Sequence, residues 1–217
     1  MTDVLPPLAG FTIADLAPFV SGGVIPVNAS PDHLLMEVGI DNVHGSIKHV
    51  LSRVRKSLYF TMFGFADEEI ANIILGIMDD KNILSMILLD KSQAAGTHEK
   101  KILDHMSTHD PISFNNHVVI GQSETHQILH RKGFVADGIV GCAGSTNLSQ
   151  GGEGVFVNGN APGGPNYKAQ SNDHMWFTDG ASLHTMQTTI ISQHQIAARQ
   201  SGDSSTPKPK LKKVKPT

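Results

Sequence analysis

The chain has 217 residues, with 17 Lys and Arg against 20 Asp and Glu, a formal net charge of −3. That length builds one good-sized core, and no apolar run reaches membrane-spanning length, so the composition reads as a soluble globular protein without stable membrane association. A single cysteine, Cys142, excludes an internal disulfide and a thiolate zinc site; it reads as core packing in a reducing, cytoplasmic compartment. The N-terminal stretch MTDVLPPLAG lacks the basic start of a secretory signal. Charge is uneven: residues 201–217 hold five lysines and one aspartate, which leaves 12 basic and 19 acidic residues, net −7, in the rest. A polyanion would therefore have to be met by a local groove, helped or not by the tail.

Residues 1–31 are rich in Pro, Gly and Ala and predict an irregular arm, either free or packed on the body; no Lys or Arg precedes Lys48. HLLMEV at 33–38 reads as a first strand. Val43, Ile47, Val50, Leu51 and Val54 then recur at helical spacing, with Asp41 placed to cap and Arg53, Arg55 and Lys56 at the dipole's negative end. The aromatic run 57–65 predicts a strand. ADEEIANIILGIMDD predicts a helix from its acidic first turn and isoleucine stripe, and 82–90 a buried strand. Lys91-Ser92-Gln93 reads as a polar turn, though open α/β sheets place ligand loops at such strand ends. Thr97 is placed to cap a helix over 98–108, and HVVIG at 117–121 predicts another short strand. This alternation predicts an α/β fold, a sheet covered by helices. The 12 histidines contain no HExxH pair; His105 and His109 read as solvent-facing.

The segment 130–147, HRKGFVADGIVGCAGSTN, gathers the chemistry. On a strand, His130 and Lys132 leave the same face. Asp137 falls beside Gly138, where the strand would turn; Ile139, Val140, Cys142 and Ala143 predict a second short strand leading into Gly144-Ser145-Thr146-Asn147. Two adjacent strands would thus place an imidazole, an ammonium, a hydroxyl and an amide around one volume. Histidine serves as nucleophile or proton carrier, and lysine, serine and asparagine supply charge and hydrogen bonds to phosphate oxygens.

The pattern HxKxxxxD followed after six residues by GSxN resembles the signature of the phospholipase D superfamily, met at His130, Lys132, Asp137, Gly144, Ser145 and Asn147. LYFTMFGFA and SMILLDKSQ are similar to the core strands of its small single-motif endonucleases, and the likeness runs from about 33 to 198. The resemblance implies a mixed sheet sandwiched between helices, one domain per chain over 32–199, and a metal-independent, cofactor-free phosphodiesterase. With one motif per chain it implies a homodimer in which two His130 meet at a two-fold axis. One is the nucleophile that forms a phosphohistidine and the other the acid that protonates the leaving alcohol. Lys132, Ser145 and Asn147 would bind phosphate, Ser145 helping to hold the oxygens or the local turn, while Asp137 and Gly144 would be structural. A carboxylate on the strand over 171–179 orients the catalytic histidine in such enzymes. Asp173 holds that position here, one methylene shorter than the usual Glu; the other reading is a strand-edge charge. The Gly-rich segment 151–170 reads as a loop insertion that either gates a site or is merely tolerated. Leu183, Met186, Ile190, Ile191 and Ile196 predict a closing helix over 181–198, and 200–217 a disordered basic tail, solvated or weakly gripping nucleic acid. DNA or RNA is the expected substrate. A lipid phosphodiesterase and a non-catalytic nucleic-acid-binding protein are the rival readings.

Overall fold

The computed structural model describes residues 5–25, 30–154 and 168–202. Seven strands form one mixed sheet: β1 (His33–Glu37), β2 (Ser57–Met62), β3 (Leu84–Asp90), β4 (Val118–Gly121), β5 (Gly133–Ala136), β6 (Val140–Gly144) and β7 (Asp173–Phe177), in the order β1-β7-β6-β5-β2-β3-β4. β2, β3 and β4 are parallel; from β2 across to β1 every pairing is antiparallel. The helices are α1 (Val43–Leu51), α2 (Glu68–Asp79), α3 (Thr97–His109), α4 (Pro111–His117), the short α5 (Gln150–Glu153) and α6 (Gly180–Gly202). Both faces of β2 are buried, which is why its sequence lacks alternation. Leu58, Phe60, Phe134, Cys142 and Trp176 join α1 and α2 in the main core. Tyr59, Val135 and Phe177 face α6 through Leu183, Met186 and Ile190. The sheet is therefore covered by helices on both faces within a single domain.

Local details depart from the sequence reading. Asn42, not Asp41, caps α1, accepting from the Gly45 N–H at 2.8 Å. Asp41 instead accepts from the N–H groups of Ser21 and Glu37 and ties two loops together. Thr97 begins α3 rather than capping it, and Gly96 takes the cap position without a side-chain bond. α4 is absent from the sequence reading, although Asp110 caps it by accepting from Ile112 and Ser113 and Pro111 opens it.

The N-terminal arm is not merely irregular. Two 3₁₀ turns, Ile13–Phe19 and Ser21–Gly23, form there, and Leu8, Phe11, Ile13 and Leu16 enter the main core. Arg53, read as a dipole partner, donates to the Pro6 carbonyl at 2.9 Å and lies over the Phe11 ring. It clamps the arm to the end of α1. α6 runs through Gly202, so the expected tail begins no earlier than 203; residues 203–217, and the Gly-rich loop at 155–167, lie outside the described residues.

Candidate active site

The carboxyl ends of β2 and β3 and the start of β5 meet at one edge of the sheet, the place where open α/β folds receive ligands. β5 starts only at Gly133, so His130 and Lys132 lie in the extended segment just before it rather than on the strand. Gly133 is required there: its φ is +146°, and a Cβ would fall 2.0 Å from the Cys142 carbonyl oxygen.

His130 is exposed, whereas Lys132 is 4 % exposed. Phe63, one residue beyond β2, serves both: its ring meets the His130 ring edge-on at 4.6 Å, and the Lys132 ammonium lies 4.9 Å from its centroid. Lys132 Nζ also donates to the His130 carbonyl at 2.8 Å. Burial lowers the Lys132 pKa from the usual lysine value. Among the described residues no carboxylate forms an ion pair with it.

Asn147 approaches from beyond β6. Its Oδ1 accepts from the Gly64 N–H at 3.1 Å, which turns the amide NH₂ away from that bond and leaves it to donate elsewhere. Gly144 lets β7 come close, since a Cβ there would lie 2.2 Å from the Asp173 carbonyl oxygen. Ser145 Oγ accepts from the Asp173 N–H at 3.0 Å and donates to Asn172 Oδ1 at 3.3 Å. Its single proton is thus directed at Asn172, and in this arrangement the hydroxyl holds the turn instead of an anion.

Asp137 lies at the far end of β5, with φ +54°. Its carboxylate accepts from the backbone N–H groups of Arg55, Lys56 and Ser57 and fixes the entry to β2. Asp173 does not reach His130: it is exposed, and among the described residues no hydrogen bond or ion pair joins the two. Strand alternation is the reason, because β7 turns His174 and Trp176 inward and Asp173 outward. The Asp173 backbone serves the site instead, through Ser145 and the Thr146 hydroxyl.

Two neighbours escaped the sequence reading. Asp90, at the end of β3 and 1 % exposed, accepts from the Ser92 N–H and hydroxyl and the Gln93 N–H on one oxygen. Its other oxygen accepts from the Leu129 N–H at 2.6 Å, the residue just before His130. Asp90 therefore fixes both the Lys91-Ser92-Gln93 turn and the approach to the imidazole. His174 pairs in register with Gly144, packs on Trp176, and burial drives its pKa down to about 3.

His174 makes a stability prediction. Its folded pKa lies below the ordinary value of 6.5, so the unfolded chain binds the extra proton between those limits. Its contribution is fully present above 6.5 and is lost as pH falls toward 3. Urea unfolding at stepped pH is expected to show a slope of up to about 1.4 kcal/mol per pH unit that His174→Leu removes. Equal slopes in both proteins would contradict the buried neutral ring.

Solved structures share this architecture. Nuc from Salmonella typhimurium, described as a phospholipase D family member, matches with a TM-score of 0.55 and 10 % identity over 76 % of this chain and 95 % of its own. NucT from Helicobacter pylori matches with a TM-score of 0.53 and 12 % identity, over 75 % and 95 %. The fold is that of the phospholipase D superfamily. A phosphatidylserine synthase from Haemophilus influenzae Rd KW20 matches with a TM-score of 0.54 and 16 % identity, over 72 % of this chain and 36 % of its own. No family model and no curated protein matches the chain. The phospholipase D-like fold thus stands on structure, at identities of 10–16 %.

Proposed function

We propose that this chain is a metal-independent phosphodiesterase of the phospholipase D type, and within that class an endonuclease acting on DNA or RNA as a homodimer. The observation that carries the reading is Lys132, a nearly enclosed ammonium with no carboxylate to neutralise it among the described residues, beside an exposed imidazole. A buried unpaired cation is costly, and an anion entering the cleft removes that cost. The Asn147 amide adds a donor suited to a phosphoryl oxygen.

In this scheme a neutral His130 attacks phosphorus. The P–N bond forms as the P–O bond to the leaving alcohol breaks, and the partner subunit's His130 gives that oxygen its proton. The same partner imidazole then takes a proton from water, whose oxygen displaces His130 from phosphorus and restores both rings. Lys132 and Asn147 meet the charge on the equatorial oxygens. Among the described residues no helix is long and apolar enough to cross a membrane.

Incubation of the purified chain with labelled single- and double-stranded DNA, RNA and phosphatidylcholine vesicles in excess EDTA tests the reading. Cleavage of nucleic acid at a rate within about twofold of the chelator-free rate is expected, since the lysine supplies the positive charge that a metal otherwise would. Release of the lipid headgroup with nucleic acid left intact would assign the chain to lipid phosphodiesters. Nucleic-acid binding without any cleavage would make it a binding protein.

A further inference from the structure

A second cluster of functional groups lies on elements that flank the candidate active site. His44 sits on the first turn of α1, Asp67 caps α2 just beyond the Phe63-Gly64 segment, and Glu153 ends α5, six residues after Asn147. Their side chains are 3 %, 2 % and 0 % exposed. His44 Nδ1 lies 2.9 Å from Glu153 Oε1 and 3.3 Å from Asp67 Oδ2. Asp67 Oδ2 and Glu153 Oε2 have no hydrogen-bond donor, although Asp67 Oδ1 is satisfied by the Ile70 N–H. Two carboxylates thus meet in the core with no Lys or Arg between them among the described residues; Lys48 engages Glu69 at the outer edge.

Such a group needs a positive charge at its centre. We infer that His44, Asp67 and Glu153 form a binding site for one divalent transition-metal ion of the zinc or manganese type, held through His44 Nδ1 and one oxygen of each carboxylate. One ligand atom from each residue can be chosen so that all lie within 4.8 Å of one another. The two measured separations are those of donor atoms sharing an ion at about 2.0–2.2 Å, whose edges run roughly 2.9–3.5 Å in octahedral or tetrahedral geometry. One imidazole with two carboxylates is a borderline donor set, which favours zinc or manganese over magnesium. His44 Nε2 faces Glu69 Oε2 at 3.6 Å, and Lys48 braces that carboxylate.

The ion would join three segments far apart in sequence and brace two that carry site residues, the stretch after β2 and the stretch after Asn147. The inference is independent of the phosphodiesterase reading. Without a metal, burial and the neighbouring Asp67 carboxylate push Glu153 well above the ordinary carboxylate range, so the alternative occupant is a proton shared between the two acids.

The two occupants are separated without an activity assay. The full chain, desalted into metal-free buffer, is analysed for metal content and melted with added Zn²⁺, Mn²⁺ or Mg²⁺. About one equivalent of zinc or manganese per chain is expected, with a rise in Tm of about 5–15 °C on loading, no comparable rise with Mg²⁺, and loss of uptake in Glu153→Gln. Absence of both uptake and shift in the wild-type chain overturns the site, and that measurement needs no variant to fold. A Glu153→Gln protein that, with zinc or manganese added, melts as high as the loaded wild type also overturns it, because a glutamine replaces a protonated glutamate but not a metal ligand.

Discussion

Alanine at position 130 is expected to lower the cleavage rate by roughly 10³-fold or more while leaving Tm within about 2 °C of wild type. Under the proposed scheme the nucleophile and its partner acid would be the same residue in a symmetric dimer, so one substitution would remove both roles. Stability is spared because the ring is exposed and its described ring contact is the edge of Phe63. A mixing series sharpens the test. Wild-type protein co-refolded with increasing His130→Ala should lose activity as the square of the wild-type fraction, since a mixed dimer lacks one of the two imidazoles. A linear decline would show that each chain works alone, and equal cleavage by both proteins would remove His130 from the chemistry.

Asp90→Ala is expected to be the most destabilising single change near the site, at about 3–5 kcal/mol. Its carboxylate accepts from four donors on two separate segments, and truncation leaves the buried Leu129 N–H and the Ser92 turn unmet. For a domain of this length that corresponds to a fall in Tm of roughly 10 °C. Asp90→Asn offers little rescue. Donors approach both oxygens, so one side must face an N–H with an N–H. Thermal unfolding of the two variants decides the matter: an Asn protein as stable as wild type would mean that one of the two sets of bonds carries no energy.

Much of the frame was legible because local chemistry and final position agree. The isoleucine stripe of α2, the aromatic run of β2 and the hydrophobic stretch of β3 each specify their element without help from distant residues. The spaced His130, Lys132 and Asn147 lie at one edge of the sheet around Phe63 and Gly64, though His130 and Lys132 precede β5 instead of lying on it. What stayed hidden depends on distance in the chain. His44 and Glu153 are separated by 109 positions, and neither carries a local sign of the other. Asp90 reads as the end of a strand until Leu129 is seen to lean on it. The arm's Pro, Gly and Ala content left its packing on the body open, because the partners of Leu8 and Phe11, such as Arg53 over the Phe11 ring, lie far along the chain. Asp173 misled: its sequence position matched, but the alternation of β7 turns the carboxylate outward and leaves only its backbone for the site.

The placement of β1 has a consequence for how the molecule comes into being. Among the described residues its one neighbour in the sheet is β7, the last of the described strands, and β7 also completes the hydrogen bonding of β6. During synthesis the first strand therefore waits without a partner until almost the whole polypeptide has left the ribosome. The Gly144–Asn147 turn is likewise unsupported until Asp173 arrives. An unfinished chain holds the histidine and the lysine but not the completed turn, so the site stays incomplete in nascent fragments because of the order in which the strands are made.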